Sequence, residues 1–125
     1  MRVAALLLAA LVAPLPLLAQ YPEPGTYSAG ATPAGSSQII PLKLIVEKRG
    51  DSTLVHMSQP GDKGDNQLPM VDQRAYKSGF EIVLGVVDGG LACRFAPPNK
   101  DGRWEANCED PDHTALYQFF FKKGS

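Results

Sequence analysis

The sequence predicts an all-β protein: an antiparallel up-and-down meander of seven to eight strands, closed as a small barrel or folded as a sandwich, with one disulfide hairpin. Three observations predict it. Apolar residues recur with a period of two over several stretches, the pattern of strands with one buried face. Turn-forming clusters separate these stretches at short spacing, in a chain of 125 residues that holds 12 glycines and 11 prolines. The only two cysteines, Cys93 and Cys108, flank a segment with the chemistry of a tight hairpin. No helical period runs beyond about three turns, and there is no repeat at a spacing of about 20 to 50 residues.

The chain opens with MRVAALLLAALVAPLPLLAQ. One basic residue (Arg2), an apolar run and a small residue at Ala19 make the three-part layout of a secretory signal peptide, residues 1–19, cleaved after Ala19. Pro14 and Pro16 interrupt the run, which is too short and kinked for a stable membrane span. No cysteine follows at which a lipid would attach. The mature chain is expected to be secreted or periplasmic, with no membrane insertion. It loses Arg2 and keeps 11 cations against 13 anions. That balance offers no basic stripe for a phosphate backbone, so nucleic acid is not expected as a partner.

Residues 20–37 read as a Pro/Gly-rich N-terminal arm in which GTYSAGA forms a possible first strand with Tyr27 inward; residues 38–125 are the barrel domain. In IIPLKLIVEK, Ile40, Leu42, Leu44 and Val46 share one parity. Arg49-Gly50-Asp51-Ser52 is a turn, and TLVHMS is a strand in which His56 shares parity with Leu54 and Ser58 and is expected inward. QPGDKGDNQLP is a long loop. MVDQRAY is a strand closed by Lys77-Ser78-Gly79. FEIVLGVV places Phe80, Ile82, Leu84 and Val86 inward and ends at the turn Asp88-Gly89-Gly90. The final TALYQFFFKK is apolar on both parities, so it is covered on both sides or exposes residues such as Phe120.

The hairpin around the cysteines fixes a register. If Asn99-Lys100-Asp101-Gly102 is a four-residue loop built on a type I turn, Pro98 faces Arg103 and Cys93 sits opposite Cys108. Leu91, Cys93 and Phe95 then share a face with Trp104, Ala106 and Cys108, while Arg94, Arg103, Glu105, Asn107 and Glu109 point away. At a non-hydrogen-bonded position the Cα atoms approach to about 4.5 Å, within disulfide range. A zinc site needs two further ligands, and His56 and His113 stand at no ligand spacing; a redox pair is usually Cys-x-x-Cys. The pair reads as a structural disulfide in an oxidising compartment.

The stretches GTY, LKLIVEK, SQPGDKGDNQLP, GFEIVLGVVDGGLACRF, DGRWEANC and LYQFFFKK resemble, in pattern and order, the small lipocalin-like β-barrel modules of exported bacterial proteins. Tyr27 stands where those modules have Trp, and the loop lacks their Asp-Gln core. The resemblance implies a barrel and a non-catalytic accessory or binding module. KSGFEI is also similar, at Ser78-Gly79, to the lysozyme inhibitors of the membrane-bound type, without the tyrosine that follows there.

No constellation for catalysis is expected. There is no Gly-x-Ser-x-Gly elbow, no spare cysteine and no phosphate-binding glycine loop. Asp62, Asp65 and Asn66 do not have calcium-loop spacing, and Glu109, Asp110, Asp112 and His113 read as a solvated acidic turn. No metal and no cofactor is expected. Tyr27, Phe80, Phe95, Trp104, Tyr117, Phe119 and Phe121 are the candidate lining of the interior, filled or hollow. The loops with Gln59, Asp62, Lys63, Asp65 and Asn66, and with Asn99, Lys100 and Asp101, are the candidate contacts for a partner protein or a small apolar ligand. The expected function is an exported non-enzymatic binding module, or alternatively a periplasmic inhibitor of a cell-wall or secreted enzyme.

Overall fold

A computed structural model describes residues 21–123; the predicted signal peptide, residues 1–19, lies outside them. Nine antiparallel strands form one sheet: β1 (Gly25–Pro33), β2 (Ile40–Arg49), β3 (Ser52–Gln59), β4 (Asn66–Gln67), β5 (Met70–Tyr76), β6 (Gly79–Leu84), β7 (Leu91–Phe95), β8 (Arg103–Glu109) and β9 (Ala115–Lys123). The strand order is β4-β3-β2-β1-β9-β8-β7-β6-β5. Each strand therefore pairs with its successor, except at one step, and the first strand pairs with the last. The two edges, β4 and β5, are consecutive in the chain, and the sheet curls into a half-barrel that brings them together. A single curled sheet sets the sandwich aside.

Nine strands stand where seven to eight are predicted. The extra one is β4, inside the segment Gln59–Pro69 read as loop, where Ser58 pairs with Gln67 and Gln59 with Asn66. Just beyond it the Leu68 amide donates to the Met57 carbonyl at 2.8 Å, and the Pro69 carbonyl accepts from the Gly85 amide at 2.8 Å. Leu68–Pro69 thus steps from the β3 side of the seam to the β6 side. Proline suits the step because it has no N–H to leave unpaired. The Pro/Gly-rich segment before residue 38 carries β1, which lies between β2 and β9.

Strand parity follows the alternation in most of the sheet. Leu42, Leu44 and Val46 of β2, and Phe80, Ile82 and Leu84 of β6, are buried. Two expectations fail. His56 faces outward, because β3 pairs Val55 with Val46 and Met57 with Leu44, so the inward parity belongs to Val55 and Met57. Val86 lies past the end of β6 and is 44% exposed, because pairing stops at Leu84 and the chain turns at Val87–Gly90.

The cysteine hairpin keeps the predicted register through its paired strands: Ala92 faces Glu109, Cys93 faces Cys108, Arg94 faces Asn107 and Phe95 faces Ala106. The two sulfurs are bonded and the Cα atoms are 4.2 Å apart. Leu91, Cys93, Phe95, Trp104, Ala106 and Cys108 are all buried. The turn itself is one residue shorter than expected. The Asn99 amide, not Pro98, meets Arg103, donating to its carbonyl at 3.0 Å, and Asn99 Oδ1 accepts from the Asp101 and Arg103 amides. The odd residue is absorbed at Pro97–Pro98, which have no N–H to place in the ladder.

Antiparallel pairing sends successive turns to opposite ends of the half-barrel. Turns 50–51, 77–78 and 96–102 lie at one end, and loops 34–39, 60–65, 85–90 and 110–114 at the other. The first end is filled by rings. Phe80 is its hub, with ring centroids 5.0 Å from Phe95, 5.5 Å from Trp104 and 5.5 Å from Tyr21. Trp104 stacks on Phe121 at 5.4 Å, and Tyr27 meets Phe121 edge-on at 5.3 Å. Such pairs add to the area they bury.

The outer face of β9 explains its double apolar parity. Phe119 and Phe121 point into the core, while Phe120 is half-buried under the Arg103 guanidinium, 4.1 Å from its ring centroid. Phe120 also lies over Gly30, where a Cβ would come within 2.6 Å of the ring.

Candidate functional site

At the second end the inward residues are mostly aliphatic, and an apolar depression open to solvent lies over them, with Leu84 and Leu91 fully buried beneath it. Leu42, Leu68, Leu84, Leu91, Val87 and Phe119 are among the residues around a mouth of about 140 Å³, with Tyr117 at its side. Gln59 is its single amide. Among the described residues no carboxylate, imidazole, amine or thiol lines it. Its volume is close to the roughly 150 Å³ of a cavity that accepts a benzene ring, so this mouth has room for one small apolar group.

Of the residues expected to line the interior, Tyr117 and Phe119 lie at the mouth. Tyr27, Phe80, Phe95 and Trp104 pack against one another or against Phe121 in the plug, leaving no space between them for a ligand. The mouth's aliphatic residues were legible only as core. The signal that separates them is axial: Tyr27, Phe80, Phe95, Trp104 and Phe121 fall near strand ends at the plugged side, and Ala31, Ile40, Leu42, Leu84 and Leu91 near strand ends at the other.

The two groups of candidate contact residues do not form one surface. Gln59, Asp62, Lys63, Asp65 and Asn66 stand at the mouth end, with Asp65 ion-paired to Lys43 at 2.5 Å. Asn99, Lys100 and Asp101 stand at the plugged end, where Asn99 serves as the internal cap of its own turn.

A second depression of about 460 Å³ lies on the outer face of β6, β7 and β8, with Val83 and Ala92 as floor and Glu81, Arg94, Asn107 and Glu109 around them. Its rim joins two loops, since a Cβ on Gly89 would come within 2.5 Å of Pro111. His113 sits here with Nδ1 3.3 Å from Glu109 Oε1, at a backbone φ of 65°. The imidazole is 87% exposed, and among the described residues no Ser, Thr or Cys lines the depression. His56, on the outer face of β3, meets Gln67 Nε2 at 3.2 Å through its Nδ1. Among the described residues no three His, Cys, Asp or Glu side chains converge as metal ligands.

The seam between β3 and β5 is closed by one side chain. Gln73 Oε1 accepts from the Val55 amide at 3.0 Å, and its Nε2 donates to the Thr53 carbonyl at 2.7 Å and to the Tyr21 hydroxyl at 3.0 Å. Asp72 and Arg74 flank it on the outside, 2.9 Å apart. The Arg74 hydrogen bond, with a second from the Gln73 amide, lowers the Asp72 carboxyl below its ordinary range. Comparison with protein-family models, with curated proteins and with solved structures finds no match to this chain.

Proposed function

We propose that this chain is an exported, non-enzymatic binding module, and that its site is the apolar mouth at the end of the half-barrel that carries loops 34–39, 60–65, 85–90 and 110–114. The ligand is a small apolar molecule or an apolar group of a partner protein. One observation carries the reading: the two ends differ, one plugged by six aromatic rings and the other ending in an apolar depression with mostly aliphatic walls. A few convergent polar groups in an apolar concavity are the usual form of a binding site, and Gln59 and Tyr117 supply them here. Walls without an acid, base or nucleophile support binding over catalysis. The signal peptide cleaved after Ala19 supports export, and a disulfide is consistent with the extracellular or periplasmic compartment that it leads to. The motif order that resembles lipocalin-like modules supports the same reading.

The test is a titration of the mature chain with toluene, followed by amide and methyl NMR. Shifts confined to Leu42, Leu84, Leu91 and Phe119, lost in Val86→Asp, are expected. Val86 is already part-exposed, so that variant should fold. Shifts scattered over the surface, or none at the mouth, would overturn the reading. The inhibitor reading rests on a different feature, the exposed Lys77–Ser78 tip of the β5–β6 hairpin at the plugged end. It predicts that the mature chain slows a cell-wall muramidase and that Ser78→Trp abolishes this.

A further inference from the structure

We propose that the occupant of the mouth is an apolar side chain presented by a cationic polypeptide, whose lysines or arginines lie against an acidic rim; this rests on the mouth being the binding site. Size gives the first argument. About 140 Å³ takes one leucine-sized or phenyl group, not a whole lipid or drug-sized ligand.

Charge gives the second. The four loops at this end of the half-barrel carry Asp62, Asp65, Asp88, Asp110 and Asp112 against Lys63 and the imidazole of His113. Lys43 engages Asp65, but Asp62, Asp88 and Asp112 are exposed and form no ion pair among the described residues. They belong to three separate loops, so one small molecule with one charge does not engage them together. The opposite end is the basic one, where β2 finishes on Lys48-Arg49 and β9 on Lys122-Lys123. At that end Glu47 pairs with Arg49 and Glu23 with Lys123, while Lys48 and Lys122 form no ion pair among the described residues.

Backbone gives the third. β4 is an edge of the sheet, and it lies between Gln59 and Leu68, which both line the mouth. An extended chain running along Asn66–Gln67 finds unpaired main-chain groups there, as in strand addition to a sheet edge.

The experiment uses the mature chain, a short Gly/Lys peptide with one central leucine, its Gly/Glu counterpart, and toluene as a charge-free reporter of the mouth. The Gly/Lys peptide is expected to shift Leu84 and Phe119 and to weaken about tenfold when salt is raised to about 0.5 M. The triple variant Asp62→Asn/Asp88→Asn/Asp112→Asn is expected to lose a similar factor for the peptide while toluene binding stays unchanged. Equal binding of the Gly/Glu peptide, or indifference of the triple variant, overturns the cationic partner and leaves the mouth standing. Failure of toluene to reach the mouth overturns both. Salt-sensitive self-association that competes with the peptide makes the basic end of a second copy the occupant, and overturns the proposal.

Discussion

The side-chain amide of Gln73 stands opposite Val55 where a neighbouring strand would place a peptide group, giving β3 one acceptor at Val55 and one donor at Thr53. A carboxamide has the donor and acceptor of a peptide bond, so one side chain replaces two rungs of the missing β3–β5 ladder. Gln73→Leu leaves the Val55 amide and the Thr53 carbonyl without partners in a part-buried seam. A loss of about 1 to 3 kcal/mol is expected in urea unfolding, with faster hydrogen exchange at Val55 than at the β2–β1 ladder. Gln73→Glu should recover part of the loss, because a carboxylate still accepts from Val55 but cannot donate to Thr53.

The disulfide closes a loop between residues separated by 15 positions. Replacing both cysteines by alanine is expected to lower stability by about 3 kcal/mol on the chain-entropy model. The hairpin register should survive, since Phe95 and Trp104 remain buried whether or not the sulfurs are joined. Cross-strand NOEs between residues 92 and 109 in the double variant test this.

Gly79 closes the two-residue hairpin between β5 and β6 at a φ of 105°, and a Cβ there would lie 1.9 Å from the Phe95 carbonyl oxygen. Backbone on the neighbouring strand cannot yield as a side-chain tip does. Gly79→Ala is expected to cost more than about 1 kcal/mol, and thermal melts should show it as a clear drop beside Gly35→Ala, where only the positive φ is at issue.

Burial raises the Tyr27 phenol above its ordinary pKa, with Glu23 adding to the effect. The phenol also donates to the Glu23 carbonyl at 2.6 Å. Because the folded pKa exceeds the unfolded one, Tyr27 contributes stability that is fully present below about pH 10 and is lost as pH rises through the folded value. Unfolding free energy should therefore fall on the alkaline side. Tyr27→Phe should flatten that fall, at a cost of about 1 kcal/mol near neutrality for the lost hydrogen bond.

Fold class was legible because hairpins are local. The alternation of Leu42, Leu44 and Val46, and the cysteine register, need only neighbouring residues and a turn to be read. What was hidden depends on contacts between distant parts of the chain. β4 is two residues long and has no period of its own; only its pairing with Ser58 and Gln59 makes it a strand. His56 was placed inward because TLVHMS alternates ambiguously, with Leu54 and Val55 both apolar, and the partner strand decides between them. The turn at Asn99 was misread by one residue because its side chain, not only its backbone, builds the loop. The mouth was illegible for another reason: the same aliphatic residues make a core or a cavity, depending on whether something crosses the end of the half-barrel.

The pairing of β1 with β9 sets Tyr27 beside Lys123 and Ala31 beside Phe119. A ladder joining the first described strand to the ninth carries a high contact order, which slows folding. A chain made N-terminus first cannot form this ladder until β9 has emerged. Until then Phe119 and Phe121 are missing from the core, so compaction waits for a strand that comes after all eight of the others described.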